Sequence, residues 1–280
     1  MSRNLNAAGA APAGRTRHGL AFTKVGDGPP LVLLHGIGGS RWAWAPVLER
    51  LAGSHTVYAV DLPGFAESGP LDDGVAPTPR RIAEAVGAAL DEWGVDRPHL
   101  AGNSLGAWIA LELAALRPVA SLTLLSPAGL WKRRQPVYDA VSFALIWFGC
   151  RYGTRLLTAL SRRAWGRRLV FWQIYARPEV RSPEDAIRDI TDLVRGPGFW
   201  PAMRASRRIR YQATKEVAAP VTLAFGDSDR VLLARQARFT DQLPPHTRHL
   251  VLPGAGHVPM SDAPELVSRV ILTTTGAASR

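Results

Sequence analysis

Six short apolar runs, at 31–34, 56–60, 99–102, 121–125, 221–225 and 248–252, recur along the chain with longer amphipathic stretches between them. Runs this short and apolar on both faces are the pattern of strands buried in a parallel sheet, where helices cover either side. The stretches at 42–51, 79–93, 105–116, 232–243 and 264–273 carry helical spacing. Pro79 and Pro264 suit the first turn of a helix, where a missing N–H costs nothing. A mixed segment at 18–25, closed by Gly26-Asp27-Gly28-Pro29-Pro30, predicts an edge hairpin and its turn. Regular alternation of strand and helix predicts an α/β fold with a doubly wound, mostly parallel sheet.

The alternation fails between the runs at 121–125 and 221–225, which marks an insertion. Helical spacing returns near 137–146 and 186–194, and Pro136, Pro178, Pro183, Pro197 and Pro201 predict that the insertion is cut into short helices. It also concentrates the charge. Between Trp131 and Lys215 there are 18 Lys and Arg against 6 Asp and Glu, a net of +12 that exceeds the formal +11 of the whole chain and leaves the remainder at −1; the segment also holds five of the nine tryptophans. A net positive charge invites a nucleic-acid reading, but no binding motif accompanies it, and none is expected as a partner.

The remaining composition narrows the class of protein. A length of 280 residues with 46% hydrophobic content suits one α/β core domain. The longest apolar stretch, 141–150, is about half the ~20 residues needed to cross a bilayer, so no transmembrane segment is expected. The first residues hold no continuous apolar run and do not read as a secretory leader. Cys150 is alone, cannot form an internal disulfide, and is expected to be a packed, inert thiol; a reducing cytoplasm fits.

Chemistry enters with Gly102-Asn103-Ser104-Leu105-Gly106, a G-x-S-x-G between an apolar run and a helical stretch. A serine on a tight strand-to-helix turn is strained and needs neighbours without bulk, which Gly102, Gly106 and Ala107 supply. The helix that begins there aims N–H groups and a positive dipole end at a reacting carbonyl. Three other segments follow strand ends: His35-Gly36-Ile37-Gly38-Gly39, Gly226-Asp227-Ser228-Asp229-Arg230 and Gly254-Ala255-Gly256-His257-Val258. The glycine-rich first of these can offer a backbone N–H to an oxyanion. The chain order Ser, Asp, His is that of one serine-hydrolase fold and not of the others.

The stretches LVLLHGIGG, VYAVDLPGFAESG, LAGNSLGAWIALELA, LAFGDSDRVL and LPGAGHVPMSDAPELV resemble, in order and spacing, signature segments of the α/β-hydrolase superfamily, in its lidded serine-esterase-like branch. The resemblance implies Ser104 as nucleophile, Asp229 as the acid of a catalytic triad and His257 as base. It implies the backbone N–H groups of Ile37 and Leu105 as an oxyanion hole. In this family His35 usually ties its loop; Asp61 reads as a turn carboxylate, Asn103 as a brace for the serine turn or a border of the pocket, and Asp227 as a turn residue. The implied organisation is a flexible tail at 1–17, a core at 18–130 and 216–275, and a helical lid at 131–215. The implied activity is hydrolysis of a carboxylic ester or thioester of an apolar acyl or aromatic substrate, with no metal or cofactor. The alternatives are a meta-cleavage-type carbon–carbon bond hydrolase, an acyltransferase and a non-catalytic ligand-binding member of the fold. Serine at the nucleophile position argues against the dehalogenase and epoxide-hydrolase branches, whose ester intermediates need a carboxylate. The basic lid leaves room for peripheral contact with a membrane.

Overall fold

The computed structural model describes residues 13–72 and 74–277. Among them eight strands form one sheet: β1 (Ala13–Arg15), β2 (Ala21–Val25), β3 (Pro30–Leu34), β4 (Thr56–Val60), β5 (His99–Asn103), β6 (Ser121–Leu125), β7 (Val221–Gly226) and β8 (Arg248–Leu252). Their order across the sheet is β1-β2-β4-β3-β5-β6-β7-β8. The pairs β1–β2 and β2–β4 are antiparallel and all others parallel. The tail expected at 1–17 is corrected in part. Residues 13–15 add the edge strand that pairs with β2, and residues 1–12 lie outside the described residues.

Among the described residues ten α-helices accompany the sheet: α1 (Ala45–Ala52), α2 (Pro79–Glu92), α3 (Leu105–Leu116), α4 (Val137–Ser161), α5 (Ala164–Phe171), α6 (Pro183–Arg195), α7 (Phe199–Ser206), α8 (Ala234–Ala237), α9 (Pro259–Asp262) and α10 (Pro264–Ala277). The double winding follows from the pleat. Leu31 and Leu33 point to one face and pack with Val47 and Leu51 of α1 and Ile271 of α10. Val32 and Leu34 point to the other and pack with Ile82 and Val86 of α2 and Trp108 of α3. Each such side chain taken fully out of water contributes about 1.5–3 kcal/mol. Because α3 follows the central strand, it is buried almost all round, from Leu105 through Leu111.

Local rules set the helix starts. Thr78 caps α2 by accepting from the Arg81 N–H at 3.2 Å, and Ser182 caps α6 by accepting from the Asp185 N–H at 3.0 Å, with Pro79 and Pro183 in the first turns.

Three expected helices differ. The stretch at 42–51 begins as a 3₁₀ turn over Arg41–Trp44, and α1 starts only at Ala45, so that Pro46 falls in a first turn. The stretch at 232–243 shrinks to one turn. Asp229 captures the N–H groups of Val231 and Leu232 at 2.9 Å each, and the Phe239 N–H goes to the Leu130 carbonyl at 2.8 Å, so tertiary bonds outcompete the helical ladder. The insertion is not all short helices either. With no proline between Pro136 and Pro178, α4 runs unbroken for 25 residues.

Candidate active site

β5 delivers Ser104 to the carboxyl end of the sheet in a backbone conformation of φ 55°, ψ −116°, the left-handed side that an L residue adopts only under constraint. The constraints are visible. The Ser104 N–H donates to the Leu125 carbonyl at 2.9 Å, and its own carbonyl accepts from Ala107 at 3.1 Å and Ala128 at 3.0 Å. A Cβ on Gly102 would strike the Gly106 carbonyl, and one on Gly106 would strike the Leu34 carbonyl. Both glycines are therefore dictated by backbone crowding. The N–H of Leu105, first in α3, has no acceptor inside its helix. Opposite it, residues 36–39 form a turn closed by the Gly39 N–H to the Gly36 carbonyl at 3.1 Å, with Gly38 at φ 73° and Ile37 at its bend.

Asp229 and His257 come from the ends of β7 and β8. The His257 Nδ1 lies 3.0 Å from Asp229 Oδ2, and Asp229 Oδ1 accepts from Val231 and Leu232. Burial pushes the Asp229 carboxyl up, but the His257 imidazole and these N–H donors outweigh it and hold the group below the usual carboxylate value. An ionised Asp229 makes Nδ1 the protonated nitrogen and leaves Nε2 as an acceptor. Among the described residues that Nε2 is buried without a hydrogen-bond partner. Asp227, two residues away, is exposed and accepts from Gly254 at 3.0 Å, and this bond holds its carboxyl low.

Ser104 and His257 border one cavity of about 170 Å³. Its walls are mostly apolar, with Phe143 and Ile146 from α4, Val170 and Phe171 from α5, and Ile190 and Leu193 from α6, and they also include Gln173, Tyr175, Asp189 and Asp192. Its size matches the roughly 150 Å³ that holds a benzene molecule in a dry engineered cavity. On the other side of Ser104 is a smaller cavity of about 20 Å³, bordered by Ile37, Leu105, Gln135 and Asp139. That is room for about one water-sized group.

Second-tier residues fall into place around this centre. Asn103 donates through Nδ2 to the His257 carbonyl at 2.9 Å and to Leu125 at 3.2 Å, so it braces the turn and borders the cavity as well. His35 sits 2.7 Å from the Gly36 carbonyl through Nδ1 and accepts from the Leu62 N–H through Nε2 at 3.0 Å. Burial lowers its pKa, so it stays a neutral tie between two loops. Asp61 is buried in an ion pair with Arg41 and accepts from the Arg41 N–H at 2.6 Å, away from the cavity. Cys150 lines the large cavity, but burial and the nearby Asp189 push its thiol up to about 11.

The sequence pattern of the alpha/beta hydrolase family matches residues 31–270. The chain belongs to the alpha/beta hydrolase family. It is 31% identical over 261 residues to the dihydrolipoyllysine-residue acetyltransferase component of the acetoin cleaving system of Pseudomonas putida, covering 88% of this chain and 63% of that protein. It therefore spans less than two thirds of that relative. It is 34% identical over 200 residues to epoxide hydrolase EphH of Mycobacterium tuberculosis, covering 68% of this chain and 91% of that one. It is 30% identical over 255 residues to the pimeloyl-[acyl-carrier protein] methyl ester esterase of Xanthomonas oryzae pv. oryzae, covering 88% and 95%.

Two residues of this alpha/beta hydrolase site went unnoticed in the sequence. Asp139, in the first turn of α4, is fully buried beside Ser104, with both carboxyl oxygens unpartnered among the described residues. Burial, eased by His257 and reinforced by Asp229, pushes its carboxyl up to about 7. A single acid at the head of the apolar stretch 139–150 was the available signal. Asp262 is the other. Its carboxylate accepts from Gly256 at 2.8 Å, Ala176 at 2.9 Å and Arg177 at 3.1 Å, fastening the histidine loop to the insertion. The His257 N–H itself donates to the Ile174 carbonyl at 2.8 Å.

Proposed function

We propose that the protein is a serine hydrolase that cleaves a carboxylic ester or thioester of an apolar acyl or aromatic substrate through an acyl-enzyme. The observation that carries this reading is the imidazole of His257, held by Asp229 with its Nε2 unpartnered among the described residues, bordering the same cavity as Ser104. In the reaction His257 takes the proton of the Ser104 hydroxyl as Oγ attacks the carbonyl carbon. The N–H groups of Ile37 and Leu105 receive the developing oxyanion. Collapse expels the alcohol or thiol, protonated by His257, and leaves the acyl group on Oγ. Water, deprotonated by His257, then releases the carboxylic acid and restores Ser104. The mostly apolar walls suit the apolar portion of the substrate, and the inserted helices at 131–215 serve as its lid. The esterase among the relatives supports the same class of reaction.

Epoxide opening is the second reading, because of the relative that carries that name. It requires a carboxylate to form the ester intermediate, and the residue on the strained turn here is a serine.

The experiment is a fluorophosphonate label located by mass spectrometry, run beside a panel of p-nitrophenyl esters of increasing acyl length, an acyl thioester, a vinylogous diketone and a styrene oxide. Label on Ser104 with ester turnover lost in Ser104→Ala is the expected result. Epoxide opening that survives Ser104→Ala would replace the serine reading, and diketone cleavage above ester cleavage would move it to the carbon–carbon hydrolases.

A further inference from the structure

The outer face of α4 is apolar where a solvated helix would be polar. Val137, Val141, Leu145, Phe148, Tyr152 and Leu156 all face outward, from 46% exposed for Phe148 to 78% for Tyr152. At 100° per residue they fall within an arc of about 100°, one continuous stripe along the helix. The neighbouring α5 and its end extend the stripe with Trp165, Leu169 and Trp172, each more than half exposed. Isolated exposed apolar residues are ordinary, but a contiguous set of this size is not.

The charges around the stripe have one sign. Arg151, Arg155, Arg162, Arg163 and Arg168 are exposed, and among the described residues none of their side chains pairs with a carboxylate. The acid within α4 and α5 is Asp139, which is buried on the inner side. Elsewhere in the insertion Arg181 pairs with Asp189, Arg188 with Asp185 and Arg210 with Asp241, while the exposed Arg133, Arg134, Arg204, Arg207 and Arg208 add further positive charge that no carboxylate among the described residues matches. A second copy of this face would bring five more guanidinium groups against the first five. Anionic phosphate headgroups would neutralise them, while the aromatic and aliphatic side chains enter the acyl boundary. No helix among the described residues is long and apolar enough to cross a membrane, so the geometry is that of a helix lying in the interface.

We propose that the outer face of α4 and α5 docks the protein on an anionic phospholipid bilayer. The inner side of the same two helices walls the large cavity through Phe143, Ile146, Val170 and Phe171. Docking thus places the lipid phase one helix thickness from the cavity that Ser104 borders. The proposal stands on the outer face alone and does not depend on which residue performs the chemistry.

Its test is co-flotation of the full chain with vesicles of pure phosphatidylcholine or of phosphatidylcholine with 30% phosphatidylglycerol, at 100 and 500 mM NaCl. Binding to the anionic vesicles is expected, falling several-fold at high salt because exposed charges are screened. Leu145→Asp/Leu156→Asp should abolish it, and Arg151→Glu/Arg155→Glu should weaken it at least ~10-fold, each basic residue near the surface being worth about a factor of five. Both variants should keep the parent's melting temperature and fluorophosphonate labelling, which separates lost docking from lost fold or lost chemistry. Equal flotation on the two vesicle types, or none on either, would overturn the proposal. So would a stable dimer in sedimentation equilibrium that Leu145→Asp/Leu156→Asp converts to monomer, since a second copy would then occupy the face.

Discussion

The sheet core and the inserted helices obey opposite rules. In the core, apolar side chains point inward and each crowded position carries the residue the crowding demands: Gly106 sits against the Leu34 carbonyl, and Leu31 through Leu34 are completely buried. In α4 a stripe of large apolar residues faces out, while an unpartnered carboxyl, Asp139, is buried on the inner side. The core spends its sequence on stability. The insertion carries two features that cost stability, an exposed apolar stripe and a buried acid, and both lie where substrate and surroundings would meet. Such departures from local consistency mark functional ground.

The sharpest test of that contrast is at the core's own working end. Asp229→Asn should lower kcat by ~10³- to 10⁴-fold, because the amide supports the wrong tautomer of His257, while Asp227→Asn should change it less than ~2-fold. Steady-state kinetics on the best ester of the panel decides this, and the reverse ranking would reassign the acid. Next in size, Gly106→Ala should destabilise by more than ~3 kcal/mol in urea unfolding, since its Cβ meets main chain that cannot yield. A fully stable variant would show that the core is looser than its packing implies.

Asp139 gives the third test. Its folded pKa is raised from 3.8 to about 7, foremost by burial, so between those values the folded chain holds a proton that the unfolded chain has released. Stability from this group is present in acid and is lost as pH rises through about 7. At 1.36 kcal/mol per pH unit the loss has an upper bound of roughly 4 kcal/mol. Relative to the parent, Asp139→Asn should therefore gain stability between pH 4 and pH 8 in urea titrations, and parallel profiles would show that Asp139 finds a partner. Smallest is Gly149→Ala on the outer side of α4, where nothing lies within 4 Å of the added Cβ. It should stabilise by about 0.5–1 kcal/mol, a gain that only an uncrowded helix offers.

The same contrast explains what could be read from the sequence. Strands β3 to β8 lie within a residue of the expected runs; β3 to β7 do so because strands buried on both faces read as nearly continuous apolar runs, whereas β8, exposed at the sheet edge, shows only through its apolar end at Leu250–Leu252. The Ser104 turn and the segments carrying Asp229 and His257 were legible because each follows one of these strands. The helix expected at 232–243 failed because Asp229 and the Leu130 carbonyl take its N–H groups, bonds that no periodicity encodes. Asp139 and Asp262 were hidden for a related reason. One acid in an apolar helix, or one in Ser261-Asp262-Ala263, becomes meaningful only when folding has brought Ser104 or the Ala176 and Arg177 N–H groups to it.

One attachment has a mechanical meaning. The histidine loop and the insertion are bonded together: the His257 N–H donates to the Ile174 carbonyl, and the Asp262 carboxylate accepts from the Ala176 and Arg177 N–H groups; a Cβ on Gly256 would sit 2.7 Å from the Ile174 carbonyl. A second rivet joins the Gly198 N–H to the Gly64 carbonyl at 2.8 Å. Among the described residues no hydrogen bond ties the span from Gly149 to Phe171 to the sheet. The insertion is thus bonded to the core at Tyr138, at 172–177 and at Gly198, and among the described residues has no such bond over 149–171. A displacement of the bonded border would carry the histidine loop with it, because the His257 N–H donates to the Ile174 carbonyl. Faster amide exchange at 149–171 than at 174–177 is the signature of such an attachment.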